Sequence, residues 1–358
     1  MEMKRDLQLD IFRALVMIYI PCVIHTSYWM NLGSEPMLSL ILFEMPIVFF
    51  ISGASLSLRP MKSLRHTLKS RFRRILLPYY AYFTFYLLCV GLIAAVCAHS
   101  ESFATLIADK YELPPSIDAV SVIRGYLLPG MQGYNYFQAY HLWFIIPCFA
   151  LLVSFPLQTR LVDRLRGWYI TANILLLIAV RLADAPGLVV ELVGYNVFLT
   201  AGYLYYRRLS TRRIFVAMLL CASLLVVLLV THYEFVSMQS HKFPPDLLFV
   251  VFGLTAICAL SMLFSRVKLK SNKVLDTWNR HGYTLYLYQN FVIFAVFVVL
   301  KSVPALNILP TWVKFLISAA AVFSALTLIA SPLSRLERKF ITLFTSPFRL
   351  VKRNSVAE

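Results

Sequence analysis

The chain has 358 residues, 59% of them hydrophobic and only 14% charged, and a mean hydropathy of +0.72. Charge that sparse cannot cover the surface of a water-soluble domain of this length, which excludes an ordinary soluble enzyme or binding module. The net charge of +17 does not point to nucleic acid either, because the basic residues sit in short segments between apolar runs.

Those runs are about 20 residues long, the length that crosses a bilayer. They predict an all-α polytopic bundle of about ten transmembrane helices: 9–29, 38–58, 76–98, 141–157, 168–185, 188–206, 214–233, 247–265, 283–301 and 311–331. The first has basic residues before it, as a signal peptide would, but no small-residue cleavage site, and reads as a retained helix. With a cytoplasmic N-terminus, 28 of the 34 Lys and Arg fall on inner segments. The outer side keeps Lys110, Arg124, Arg181, Lys242, Lys301 and Lys314. The positive-inside rule then predicts that both termini are cytoplasmic. Residues 1–334 read as one membrane domain. Residues 335–358 read as a basic amphipathic tail on the inner face, with Arg335, Arg338, Lys339 and Arg349 among Phe340, Phe344 and Phe348.

The longest connection, 99–140, is expected outside. Pro114-Pro115 and Pro129-Gly130 mark turns, and 116–128 reads as a short surface helix. Connections of this length are more often functional than incidental, and this one is expected to cover the mouth of a pocket. The six cysteines lie within apolar spans and include no CxxC pair. They read as packing residues rather than disulfides or metal ligands.

Ionisable groups inside spans are costly and tend to mark chemistry. The first span carries Asp10 and Arg13 at its start and His25 near its far end. Histidine is the side chain best suited to exchange a proton near neutral pH. The second span holds Glu44, then Pro46, Ser52 and Gly53. Glu44 has two readings: it orients the His25 imidazole as the acid of a triad does, or it is protonated and bonded to a carbonyl. The turn near Asn31–Ser34 puts the two at related depths. Ser52-Gly53 permits close helix approach.

Arg71 and Arg74, three apart, are expected on one helical face, either gripping phosphate or anchoring topology against anionic lipid. His141, in Tyr140-His-Leu-Trp143-Phe, sits in an interfacial aromatic cluster and either belongs to that belt or contacts a sugar-like acceptor. Arg181 and Asp184 read as a structural ion pair. Gln289 and Asn290 read as interhelical bonds or pocket lining.

At these residues the chain resembles the acyltransferase-3 family of bacterial membrane O-acyltransferases, over nearly its whole length. Arg5-x-x-x-Leu9-Asp10-x-x-Arg13-Ala14 followed by His25 resembles the family's first-helix motif. Met45-Pro46 through Phe49-Phe50-Ile51-Ser52-Gly53 resembles its second-helix motif. Arg71-x-x-Arg74 before Leu77-Pro78 resembles its basic motif, and Leu142-Trp143-Phe144 its fourth-span motif. The resemblance implies transfer of an acyl group, usually acetyl from acetyl-CoA, to a hydroxyl of a cell-envelope glycan or related acceptor such as a lipid-linked sugar; no metal is expected. It further implies that the first-helix histidine is essential and that the arginines hold the donor. Two features depart from the pattern. Eleven residues separate Arg13 from His25, one more than the family commonly has. Its late Tyr-Leu-x-His-like element stands here as Tyr286-Leu-Tyr-Gln-Asn290, without the histidine.

The expected site therefore has His25 and Glu44 as catalytic groups, and Arg13, Arg71 and Arg74 on the phosphates of acetyl-CoA. Ser52, His141, Trp143, Gln289 and Asn290 serve the acceptor, and membrane lipids surround the whole. In a straight helix, ~100° per residue leaves Arg13 and His25 roughly 120° apart. Pro21, which lacks an N–H and clashes with the Met17 carbonyl, predicts a wide turn between Met17 and Pro21 that absorbs the extra residue. The competing reading is a transporter or flippase of a glycan or lipid-linked sugar, since polar residues within spans mark such pathways too. The absence of an internal repeat tells against it.

Overall fold

The computed structural model describes residues 6–30, 36–108, 119–130, 141–206, 208–231, 237–266 and 270–354. The expected turn at Asn31–Ser34, the pair Pro114-Pro115 and the stretch 131–140 lie outside them. Among the described residues ten long helices follow in order: α1 (Leu7–Trp29), α2 (Glu44–Ser57), α3 (Leu64–His99), α4 (His141–Leu165), α5 (Gly167–Leu182), α6 (Gly187–Tyr205), α7 (Thr211–Thr231), α8 (Leu247–Arg266), α9 (Lys273–Ser302) and α10 (Thr311–Asn354). Nine of them, α2 counted with the 3₁₀ turn Pro36–Ile41 before it, are long and apolar enough to cross a membrane; α5 is apolar but shorter. No strand forms among the described residues, and the all-α polytopic class holds.

The chain divides into two units. The first takes in residues 1–67 and 150–279. Its α1 starts at Asp6, whose carboxylate accepts from the Leu9 N–H at 3.2 Å, a side-chain N-cap. At its centre α2 is buried on nearly every side, from Glu44 through Ile51 and on to Gly53 and Ala54, as a helix without a polar face must be. It crosses α6 with backbone against backbone. A Cβ on Gly53 would stand 1.9 Å from the Leu199 carbonyl oxygen, and one on Gly202 would stand 1.9 Å from that of Phe50. The Ser52-Gly53 pair thus does permit the close approach read from it. Polar side chains join three helices: Asn196 on α6 donates to Asn173 on α5 at 2.9 Å and to Gln158 on α4 at 3.1 Å. By contrast α7 turns Leu220, Val226 and Val230 outward, which suits hydrocarbon and not water.

The second unit takes in residues 68–149 and 280–358. Its α3 buries Tyr79, Tyr82, Phe83 and Tyr86. The short helix expected within 116–128 is present as Ala119–Leu127 and lies on α3. There the Tyr79 hydroxyl donates to the Gly125 carbonyl at 2.7 Å, and Thr84 meets the Tyr126 hydroxyl at 2.8 Å. Pro129-Gly130 is a turn, with Gly130 at φ +77. A second short helix, Glu101–Ala108, follows α3.

Some boundaries differ from the sequence reading. Helix α3 starts at Leu64 and α9 at Lys273, so each helix extends beyond its apolar run into charged sequence. Helix α10 runs through Pro332 to Asn354 without a stop. Arg181 and Asp184 do not pair. Helix α5 ends at Leu182, and Asp184 has left helical geometry at φ 47, so the expected i, i+3 approach is lost. All six cysteines are free thiols.

The α2–α6 crossing leaves no room for a side chain at either glycine. Gly53→Ala or Gly202→Ala is expected to cost about 1–3 kcal/mol by forcing the backbones apart. Gly91→Ala, in open space on α3, is expected to change stability little or raise it, since alanine favours helix. Thermal unfolding in detergent checks all three.

Candidate functional site

In the first unit the site begins with the irregularity in α1. A wide π-type turn spans Ile20–His25. The Thr26 N–H reaches the Pro21 carbonyl five residues back, and the Thr26 hydroxyl donates to the same carbonyl at 2.8 Å. The wide turn expected around Pro21 is therefore present, about one turn later than predicted. The Ile20 N–H still bonds the Val16 carbonyl, so ordinary helix continues up to the proline and the extra residue is taken up after it. His25 closes this turn and is half-buried, its ring 6.4 Å from that of Tyr28.

Arg13 lies one-third exposed nearer the start of α1. It donates to Asp10 at 3.1 Å, to the Ser55 hydroxyl at 2.7 Å and to the Asn279 side chain at 3.2 Å. Ser52 is half-buried, and its hydroxyl donates to the Val48 carbonyl at 2.8 Å, back along its own helix.

Glu44 opens α2 and is buried. Its Oε1 accepts from the Lys242 ammonium, itself buried. Its Oε2 accepts from no donor among the described residues, so the expected bond to the His25 imidazole is not formed. The opposite charge of Lys242 takes the carboxylate instead.

Lys242 comes from the segment 237–246, which the structure ties down at several points. The Met238 N–H donates to the Ser39 hydroxyl at 2.9 Å, the Tyr28 hydroxyl to Gln239 Oε1 at 2.5 Å, and the Tyr195 hydroxyl to the Lys242 carbonyl at 3.2 Å. His241 meets Asp246 at 2.6 Å, and Asp246 caps α8 by accepting from the Phe249 N–H. The sequence places Lys242 on the outer side and gives it no partner. The signal was there: a lysine on the side expected to be poor in basic residues, set between His241 and a Phe-Pro-Pro turn.

In the second unit Arg71 is half-buried and Arg74 exposed. A second wide turn, Phe72–Leu76, begins between them, with the Leu77 N–H bonded to the Phe72 carbonyl. A wide turn holds more residues than an α-turn, so two residues three apart stand further round the axis than the ideal helix used to place them on one face.

His141, Gln289 and Asn290 are brought together and buried. His141 meets the Leu287 carbonyl at 3.2 Å through Nε2, and its own carbonyl accepts from the Tyr286 hydroxyl. Gln289 donates to the Tyr286 carbonyl at 2.8 Å. The Tyr82 hydroxyl donates to Asn290 Oδ1 at 3.3 Å, with its ring edge-on to those of His141 and Tyr288. Trp143 is half-buried on the first turn of α4. Tyr82 carries no local sequence signal for this contact, because its partner lies 208 positions along the chain.

No curated protein and no solved structure matches the chain. The family model described as an acyltransferase domain matches residues 6–331, from the N-cap of α1 to within α10, with His25, Glu44, Arg13, Arg71 and Arg74 inside it. The chain therefore belongs to the acyltransferase-3 family, as a multi-pass membrane acyltransferase.

Proposed function

We propose that this acyltransferase moves an acetyl group from cytoplasmic acetyl-CoA to a hydroxyl of a cell-envelope glycan or lipid-linked sugar, in a bacterial inner membrane. The observation that carries the reading is His25: a proton-exchanging side chain, half-buried, closing a wide turn in an apolar helix. A packing role would be served better by an apolar residue.

His25 takes the proton from the acceptor hydroxyl as its oxygen attacks the thioester carbon. The carbon–sulfur bond then breaks, and the proton passes from the imidazolium to the leaving thiolate, giving the ester and free CoA. Glu44 stabilises the imidazolium through the oxygen that Lys242 does not occupy. Arg71, Arg74 and Arg13 hold the donor's phosphates and diphosphate by charge-assisted hydrogen bonds. Ser52, His141, Trp143, Gln289 and Asn290 contact the acceptor. Mass spectrometry of envelope glycans from cells with and without the gene tests the reading: one acetyl group per modified sugar is expected to vanish with the gene.

His25→Ala is expected to lower kcat at least about 100-fold, the usual worth of a positioned general base, while membrane insertion and detergent-purified yield stay unchanged. Release of CoA thiol from acetyl-CoA gives the rate. Arg71→Ala combined with Arg74→Ala is expected to raise the KM for acetyl-CoA about 10-fold or more, with kcat nearly unchanged. Contacts far from the reacting carbon contribute to ground state and transition state alike. Donor saturation curves for the double variant check this, and an unchanged KM returns both arginines to a topological role.

A further inference from the structure

We propose that Lys242 is a positioning residue for acyl transfer, acting on His25 through Glu44. The inference rests on the reading of His25 and Glu44 above and adds a residue that neither the motifs nor the spans picked out.

This pair is more deeply buried than Arg13–Asp10 or His241–Asp246: 4% of the Lys242 side chain and 1% of that of Glu44 are exposed. A pair this deep is a poor device for stability alone, because well-packed apolar residues of similar volume usually do as well or better. The carboxylate is also only half used. Lys242 holds Oε1, while Oε2 is buried with no donor among the described residues. A buried acceptor left without a partner is costly and calls for a reason. A carboxylate fixed by one oxygen, with the other held open for a donor that appears during the reaction, supplies one. The imidazolium N–H formed on His25 is such a donor.

The chain around the pair is built to hold the lysine in place. Segment 237–246 is tied to Ser39, which lies shortly before Glu44, and to Tyr195 on α6. It is tied also to Tyr28, three residues beyond His25 on α1. The stretch of α1 that carries the proposed base thus also fixes the segment that carries Lys242.

The test uses the full-length protein in detergent, with radiolabelled acetyl-CoA as donor and a total membrane extract of lipid-linked sugars and envelope glycan as acceptor. Lys242→Met is expected to lower kcat about 30-fold or more, with the KM for acetyl-CoA within about twofold of the parent, and Lys242→Arg to recover most of the loss. In parallel, the unfolding temperatures of Lys242→Met, Glu44→Gln and the double variant are expected to be non-additive, the double variant melting no lower than the worse single one. Retained kcat in folded Lys242→Met overturns the inference and leaves a structural staple. Additive losses in unfolding temperature overturn it as well, because the pair is then not formed. If the parent protein releases no CoA from acetyl-CoA, the proposed function itself fails and takes the inference with it; the other two outcomes leave that function standing.

Discussion

In an apolar surrounding every backbone N–H and C=O must find its partner within the protein, and this constraint shapes the chain. Helices meet it residue by residue, which is why the described residues form helices and no strands. Departures from helical bonding then stand out. Among the described residues two wide turns interrupt long helices, one beginning at Pro21's neighbour Ile20 and one ending two residues before Pro78. A proline cannot donate, so the bonding register near it is easily shifted by one residue. The first wide turn closes on His25 and the second contains Arg74. Thus two of the residues assigned to chemistry sit where the helical register slips.

The same constraint applies to side chains. Thr26 and Ser52 donate to carbonyls of their own helices. The Asn196 amide N–H groups donate to Asn173 and Gln158 across helices, and Lys242 meets one oxygen of Glu44 as an opposite charge. Close backbone contact between α2 and α6 is possible because Gly53 and Gly202 lack the side chains that would hold the helices apart. The glycines set the distance, and the buried polar groups at the start of α2 are enclosed by the segment that carries Lys242.

In the second unit the late element Tyr286–Asn290 lacks the histidine of the family pattern, yet a histidine lies against it. His141, from the start of α4, meets the Leu287 carbonyl, and Tyr286 bonds back to His141. An imidazole is thus supplied to this element from another helix. Tyr82 closes the cluster on Asn290.

What depends on neighbouring residues was legible in the sequence. Apolar length gave the spans, and the glycine of Ser52-Gly53 gave a close crossing. An added residue between Arg13 and His25, with a proline in between, gave the wide turn, because helical register is a matter of counting along one segment. The short helix at Ala119–Leu127 followed from the turn residues around it. What depends on a distant partner was not legible. Lys242 pairs with Glu44 across 198 positions and Tyr82 with Asn290 across 208, and no local pattern encodes those meetings. Local inference also failed where an ideal α-helix was assumed: a wide turn begins between Arg71 and Arg74 and contains the second, and Asp184 lies past the end of its helix. Periodicity assigns faces only while the helix keeps its period, and only the packed chain decides where that period breaks and which buried charge answers another.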